Sequence, residues 1–510
     1  MHFARVFGAQ PALPKAHVIT VETDMTKGLH SFSIVGLPDK SVAEARDRVA
    51  SAIKNTEVNG EHFSSPKSTN KKIVISLAPA ELKKEGAVFD VPAALSYLLA
   101  SHQVNFKPEK KLFAGELALD GTLAPIRGAL SIARTAKEKG FSELYVPSEN
   151  APEASLVSGI AVFPVSDLHE LVLHLTDDTH IAPYKQIARR RTDDTGSTLD
   201  DIRGQENAKR ALEIAVAGRH NIALYGPPGT GKTMLARAAV ALLPDLTEDE
   251  SIEVTMIHSL AGALEGGVIT RPPFRSPHHT ASYASIIGGG SIPRPGEVTL
   301  AHRGVLFVDE FPEFHRDVIN ALREPLEDRI VSVARAKSSA VYPANFMLIA
   351  ALNPCPCGFW GGERCQCMPH IVEKYRRKIS GPIADRIDLW VTVPEIPPES
   401  LSSKAQRASG ETKAARERIE KARKTQEKRF AKARSLRTNA DMRAKDIETL
   451  AKLSDEAETA LIEAARRLKL SPRGYHRTIK LARTIADLGH AEAIETPHML
   501  EALQYRAREM

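Results

Sequence analysis

One stretch constrains this chain more than any other: Gly226-Pro227-Pro228-Gly229-Thr230-Gly231-Lys232-Thr233. Its G-x-x-x-x-G-K-[ST] spacing follows the apolar run Asn221-Ile222-Ala223-Leu224-Tyr225 and opens onto the helix-forming Met234-Leu235-Ala236-Arg237. Strand, glycine loop and helix in that order make a phosphate cradle. The glycines let backbone N–H groups turn inward, and the helix N-terminus adds the positive end of its dipole. Lys232 is then placed to reach the β- and γ-phosphates of ATP, and Thr233 to hold Mg²⁺. A chance glycine turn would not bring both the strand and the helix with it.

A second apolar strand, Gly304-Val305-Leu306-Phe307-Val308, ends in Asp309-Glu310 about 75 residues further on. Paired carboxylates at a strand end suit the other half of nucleotide chemistry. Asp309 would support the Mg²⁺, and Glu310 would orient and deprotonate the attacking water.

Length and charge bound the rest. At 510 residues the chain suggests roughly three domains. No run approaches the roughly 18 apolar residues that span a bilayer. The N-terminus, Met1 to Gly8, lacks the apolar segment of a secretory signal. A cytoplasmic protein without a membrane partner is expected. The net charge of +6 is unevenly placed: residues 404–445 hold 15 Lys/Arg against 5 Asp/Glu, or +10, leaving 6 − 10 = −4 elsewhere. Such a block attracts nucleic acid or is simply a solvated helix face. All four cysteines, Cys355, Cys357, Cys365 and Cys367, fall within 13 residues. Two C-x-C pairs on a glycine-rich loop suit a closed, structural Zn²⁺ site, although the spacing is tighter than the usual C-x₂₋₄-C; reduced free thiols are the alternative.

Taken in order, residues 1–175 alternate strand-like and helical runs, as in a mixed α/β domain. Residues 176–198 are polar and read as a linker. Residues 199–400 hold the nucleotide-binding core, and from 401 to 510 the pattern is almost wholly helical. Inside the core, Phe274-Arg275-Ser276-Pro277-His278-His279-Thr280 opens a long insert. Adjacent histidines point apart on any regular element, and no acidic or cysteine partner lies near them in sequence, so an ordered loop is expected rather than a metal site. Residues 330–342 read as two strands around a basic tip carrying Arg335 and Lys337. The strand Phe346–Leu352 ends at Asn353.

These features resemble the AAA+ ATPases. Asp201-Ile202-Arg203-Gly204-Gln205 looks like the start of such a module, Asn353 matches its sensor 1, and Gly381-Pro382-Ile383-Ala384-Asp385-Arg386-Ile387-Asp388 is similar to the segment carrying the arginine finger. The resemblance implies that Arg386 stabilises the γ-phosphate held by a neighbouring subunit; an intrachain salt bridge with Asp385 and Asp388 is the alternative. Arg473 fits sensor 2 of the helical lid, with Arg477 the competing assignment. The insert and the hairpin before sensor 1 resemble the branch that holds MCM helicases and magnesium chelatases. In its helicases the hairpin touches DNA, which makes Arg335 and Lys337 candidates for phosphate contacts; a solvated tip is the alternative.

The N-terminal region resembles the Lon protease fold (ribosomal S5 domain 2-like, α+β). The matching stretches are Lys84-Glu85-Gly86-Ala87-Val88-Phe89-Asp90, Gly115 to Gly121 and Pro125-Ile126-Arg127-Gly128. The position of the Lon nucleophile reads Val88, and that of its lysine base reads Ile132, with Leu130 nearby. Neither can do peptidase chemistry, so the resemblance implies the fold without the activity.

Together the chain resembles the ComM/YifB family of magnesium chelatase-like AAA+ ATPases. The most specific stretches are Phe274 to Thr280, Asn353-Pro354-Cys355-Pro356-Cys357-Gly358 and Ala482-Arg483-Thr484-Ile485-Ala486-Asp487-Leu488. The resemblance implies a homo-oligomer, a hexameric ring that hydrolyses ATP and moves on single-stranded or branched DNA as a branch migration helicase in natural transformation. The alternative is a chelatase-type motor that remodels a metal-inserting or other protein partner. A protein remodeller would need an aromatic, hydrophobic pore loop, and none is evident.

Overall fold

The structure, a computed structural model, describes residues 2–37, 39–58, 60–185, 196–264, 267–289, 294–335, 338–396, 410–433 and 436–506. The chain forms two compact units, Met1–Arg191 with Ser251–Ile269, and Thr192–Glu250 with Thr270–Met510.

In the first unit, strands Phe3–Gln10, His17–Lys27, Lys71–Ala78 and Ser31–Val35 form one sheet in that order, antiparallel except for the last pair. Alternation sets its faces: Ile19, Val21, Thr23 and Met25 are buried along one strand, while the residues between them are more exposed. The helix Asp90–Ala100 is apolar on almost every side and is correspondingly buried. A second, all-parallel sheet holds Ala161–Val165, Glu143–Pro147 and Lys111–Phe113. Val88, Leu130 and Ile132 are all buried core residues of this unit.

The first unit continues past residue 175 and also takes in residues 251–269. Ile181 is buried in the first unit's core, and the Tyr184 backbone N–H donates to Val162 O at 2.7 Å. The chain therefore stays on that unit well past residue 175. The helix Glu248–Ala261 buries Val254, Met256 and Ile257. Its Met256 joins the first unit's core, and Ser259 Oγ bonds the Glu153 carboxylate there. A helix buried on several sides carries no amphipathic stripe to betray where it packs.

The second unit is built on a five-stranded, all-parallel sheet: Phe274–Arg275, Val305–Val308, Met347–Leu352, Ile222–Tyr225, Leu389–Thr392. Val305–Val308 and Met347–Leu352 are buried along their whole length, as strands covered on both faces must be. In such sheets the carboxyl ends of the strands are where ligands bind. Here those ends lead into Gly226, Asp309 and Asn353.

The basic segment is not a purely solvated face. Helix Glu411–Phe430 buries Ala415, Ile419, Ala422, Gln426 and Phe430, a stripe of helical period. Several of its arginines bond within the same unit. Arg418 pairs with Glu213 at 2.6 Å, Arg416 with Asp245 at 3.4 Å, Arg429 with Asp487 at 2.5 Å, and Arg423 donates to Val216 O at 2.7 Å. Three of these positive charges are thus paired with carboxylates from outside the segment.

The expected hairpin is present, with Ile330–Arg335 antiparallel to Ser338–Pro343 and Arg335 paired with Ser338 across the turn. Lys337 at the tip lies outside the described residues, as does the Arg335 side chain.

Candidate nucleotide-binding site

The loop leaves its strand at Gly226, where a Cβ would stand 2.1 Å from Val393 O. Only glycine allows that approach of two backbones. Gly231 then caps helix Lys232–Leu242 with φ of 89°, a left-handed conformation that costs an L-residue energy. Lys232 and Thr233 follow on the first helical turn, beneath the loop.

Lys232 is buried, and its Nζ donates to Gly226 O at 2.6 Å, Pro227 O at 2.7 Å and Asn353 Oδ1 at 3.1 Å. All three partners are uncharged. Burial pushes the ammonium down to about 8, and the Asp309 and Glu310 carboxylates only partly oppose the shift. A desolvated cation held by neutral acceptors is poised to gain strongly from an anion such as a phosphate.

Thr233 Oγ1 donates to Asp309 Oδ2 at 3.1 Å, while Asp309 Oδ1 accepts the Glu310 backbone N–H at 2.9 Å. A hydroxyl and a carboxylate converge here, a donor set of hard oxygens that fits Mg²⁺. Glu310 has φ of 50°, in the left-handed region where a non-glycine residue is strained. Its carboxylate is half-exposed, and His279 Nδ1 lies 3.3 Å from Glu310 Oε2. The His278 ring is 4.2 Å from that of His279. The acidic partner missing from the neighbourhood of the histidines in sequence is thus supplied by the fold.

Arg386 and Arg473 make none of their bonds to the P-loop, Lys232, Asp309 or Asn353 of this chain and meet instead at Glu327. Arg386 donates to Pro382 O at 2.5 Å and to Glu327 Oε2; Arg473 donates to Glu327 Oε1 at 2.8 Å. The alternative salt bridge with Asp385 and Asp388 is not formed. Asp388 instead accepts the Asn221 backbone N–H at 3.0 Å and faces His220 Nδ1 at 3.5 Å. Arg477 is held by two carbonyls, Ala384 O at 3.3 Å and Ile387 O at 2.6 Å. Its guanidinium closes the end of the 381–388 segment, whereas Arg473 shares the Glu327 carboxylate with Arg386.

Residues 198–401 match the profile of the magnesium chelatase subunit ChlI, 21–150 that of subunit ChlI of Mg-chelatase, and 409–506 that of the ChlI C-terminal region. The chain is 42% identical over 514 residues to the competence protein ComM of Haemophilus influenzae, covering 99% of this chain and 98% of that one. It is 41% identical over 495 residues to YifB of Escherichia coli, covering 96% and 94%. The chain belongs to the ComM/YifB family of magnesium chelatase-like AAA+ proteins. It is also 32% identical over 196 residues to Lon protease 2 of Bacillus subtilis, covering 34% of this chain and 35% of that one.

Membership of the ComM/YifB family gives the cysteine loop its setting beside the P-loop. Cys355 follows Asn353 by two residues, and at Gly358 a Cβ would stand 2.5 Å from Pro228 Cδ. The loop therefore packs directly on the P-loop. The four Sγ atoms all lie within 4.8 Å of one another. Cys355–Cys365 is 3.9 Å, Cys357–Cys365 3.7 Å and Cys355–Cys357 3.3 Å. Four thiolates about 2.3 Å from a tetrahedral Zn²⁺ stand about 3.8 Å apart, so the arrangement fits a metal of that geometry. The Phe359 backbone N–H and the Cys355 side chain pull the Cys357 thiol down to about 6, while the Cys365 and Cys367 thiols are raised, so without a metal the cluster shares its charge unevenly.

Proposed function

We propose that this chain is a ring-forming ATPase that moves on DNA, with the P-loop as one half of a site that a second copy completes. The observation that carries the ATPase reading is the convergence of Lys232, Thr233, Asp309 and Asn353 at the ends of adjacent parallel strands. In this reading Gly226, Pro227, Pro228, Gly229, Thr230 and Gly231 present backbone N–H groups to the phosphates, and Lys232 leaves its carbonyls for the β/γ oxygens. Thr233 and Asp309 would hold Mg²⁺, which would supply Lewis-acid stabilisation of the developing charge. Glu310 orients a water, takes its proton as the oxygen attacks the γ-phosphorus, and ADP leaves. Asn353 fixes the water or the γ-phosphate, and Arg386 of a neighbouring copy, with Arg473, neutralises charge in the transition state.

The DNA reading is supported by full-length similarity to a competence protein and by the hairpin Ile330–Pro343. Arg335 and Lys337 at its tip would contact DNA phosphates in a hexameric ring, and hydrolysis would drive branch migration during recombination in natural transformation. The first unit would be a Lon-like fold without peptidase work, since buried Val88 and Ile132 supply neither nucleophile nor base. No helix among the described residues is long and apolar enough to cross a membrane, and a cytoplasmic setting suits a DNA substrate.

A chelatase-type motor is the second reading, favoured by 27% identity over 156 residues to the magnesium-chelatase 67 kDa subunit of Chlorobaculum parvum. One experiment separates the two. ATP hydrolysis by the full chain should rise several-fold with forked, three-stranded or four-way DNA, and the gain should fall steeply with added salt, because phosphate contacts release counterions. An ATPase indifferent to every DNA in the panel at low salt would return the case to a protein partner.

We assign a structural Zn²⁺ to Cys355, Cys357, Cys365 and Cys367. Protein purified without chelator should contain about one zinc per chain, and replacing Cys355 and Cys365 with serine should remove it. Because Gly358 packs on Pro228, metal loss should also weaken ATP binding. Metal analysis that finds no zinc in the wild-type chain refutes the assignment.

A further inference from the structure

Two arginines from separate segments share one carboxylate, and a third lies close to the first. Arg386 and Arg473 each donate to a different oxygen of Glu327. Arg323, on the same short helix as Glu327, bonds Ser380 Oγ at 3.0 Å just ahead of the finger segment. The Nε atoms of Arg323 and Arg386 are buried and have no hydrogen-bond partner. Among the described residues, Glu327 is the one carboxylate that bonds either Arg386 or Arg473. Burial, then the charges of Arg473 and Arg323, lower the basicity of Arg386. Two guanidiniums thus share a single carboxylate, with a third close enough to act on Arg386, and two of their donors are unused.

This is the coordination that arginines give a phosphate: separate guanidiniums on separate oxygens of one anionic group. A carboxylate supplies the same planar oxygen pair with less charge. Glu327 is nearly half exposed, near the end of the six-residue helix Arg323–Asp328, so it can swing into solvent without opening a core. We propose that Glu327 is an internal stand-in for phosphate, holding Arg386 and Arg473 converged until the terminal phosphate of a nucleotide bound by a second copy displaces it. The inference rests on the reading that Arg386 acts on a neighbour's nucleotide. It makes the clamp preorganised in the free chain, and it makes its engagement competitive: each productive interface must first displace Glu327.

The test is the Glu327→Gln variant of the full chain, which keeps the shape and loses the charge. Half-saturating ATP should fall by roughly threefold or more, because the competing anion is gone, while kcat stays within about twofold. The protein concentration at which activity appears should fall with it. Glu327→Asp keeps the charge but is too short to bridge both arginines, and should lie between the variant and the wild type. Unchanged or raised half-saturation in Glu327→Gln overturns the proposal, as does a fall in kcat, which would make Glu327 a support for the finger rather than its competitor. Inorganic phosphate should alter neither protein's half-saturation; phosphate that cancels the variant's gain would move the occupant to free anion and overturn the nucleotide assignment. Arg386→Ala separates the two layers. If it hydrolyses ATP normally, the reading of Arg386 fails and this inference with it. If it is inactive while Glu327→Gln matches wild type, only the role of Glu327 is lost.

Discussion

Arg386→Ala is expected to lower ATP turnover by about three orders of magnitude, the scale of an arginine finger supplied across an interface, while ATP binding stays within a few-fold. The split follows from where the guanidinium is anchored. Its bonds go to Pro382 O and Glu327, and none goes to the P-loop, Lys232 or Asp309 of its own chain. Removing it leaves Lys232 and the Thr233–Asp309 pair as they were. What is lost is a charge that touches the bound phosphate and counts most as the γ-phosphoryl group departs, so kcat falls far more than binding weakens. Subunit mixing decides whether the action crosses between copies. Lys232→Ala and Arg386→Ala chains, each inactive alone, should regain part of the wild-type rate when combined, because some interfaces then join an intact P-loop to an intact Arg386. A mixture as inactive as its parts would place Arg386 in the site of its own chain.

The parts of this site that are local in sequence are the parts a reader of the sequence can find. The P-loop and the Asp309-Glu310 strand end are short patterns, and parallel-sheet geometry brings them together because each stands at the carboxyl end of a neighbouring strand. The Thr233–Asp309 and Lys232–Asn353 bonds follow almost automatically. The grouping of Cys355 to Cys367 is legible for the same reason, since a 13-residue loop leaves the thiols few ways to avoid one another. Glu327 has no such signature. Its neighbours in sequence are helical and charged, and nothing in Arg323–Asp328 announces that Arg386 and Arg473 will meet there. His279 and Glu310 likewise meet only through the fold. The ion pairs of the 404–445 segment are hidden for a related reason: net charge counts arginines without their partners, and Glu213, Asp245 and Asp487 all lie far from it in sequence.

Glu310→Gln should give a chain that binds ATP and fails to turn it over, with kcat lower by about two to three orders of magnitude, the range of a lost general base. The amide is nearly isosteric, and apart from the His279 contact the bonds at the metal-side carboxylate do not involve the Glu310 side chain. The Glu310 backbone N–H still donates to Asp309 Oδ1, and Asp309 Oδ2 still faces Thr233. The metal ligands and the left-handed turn at residue 310 are therefore preserved, and so is the cradle around Lys232. Glutamine cannot accept a proton from water, so the complex stops one step before attack. ATP retained on the protein after rapid filtration, with no ADP formed over many wild-type turnovers, is the expected result. Lys232→Ala provides the contrast: it removes the buried ammonium that an anion most stabilises, and should lose ATP retention itself. If Glu310→Gln instead hydrolyses ATP at the wild-type rate, Glu310 is not the base, and His279, which lies 3.3 Å from it, becomes the residue to replace next.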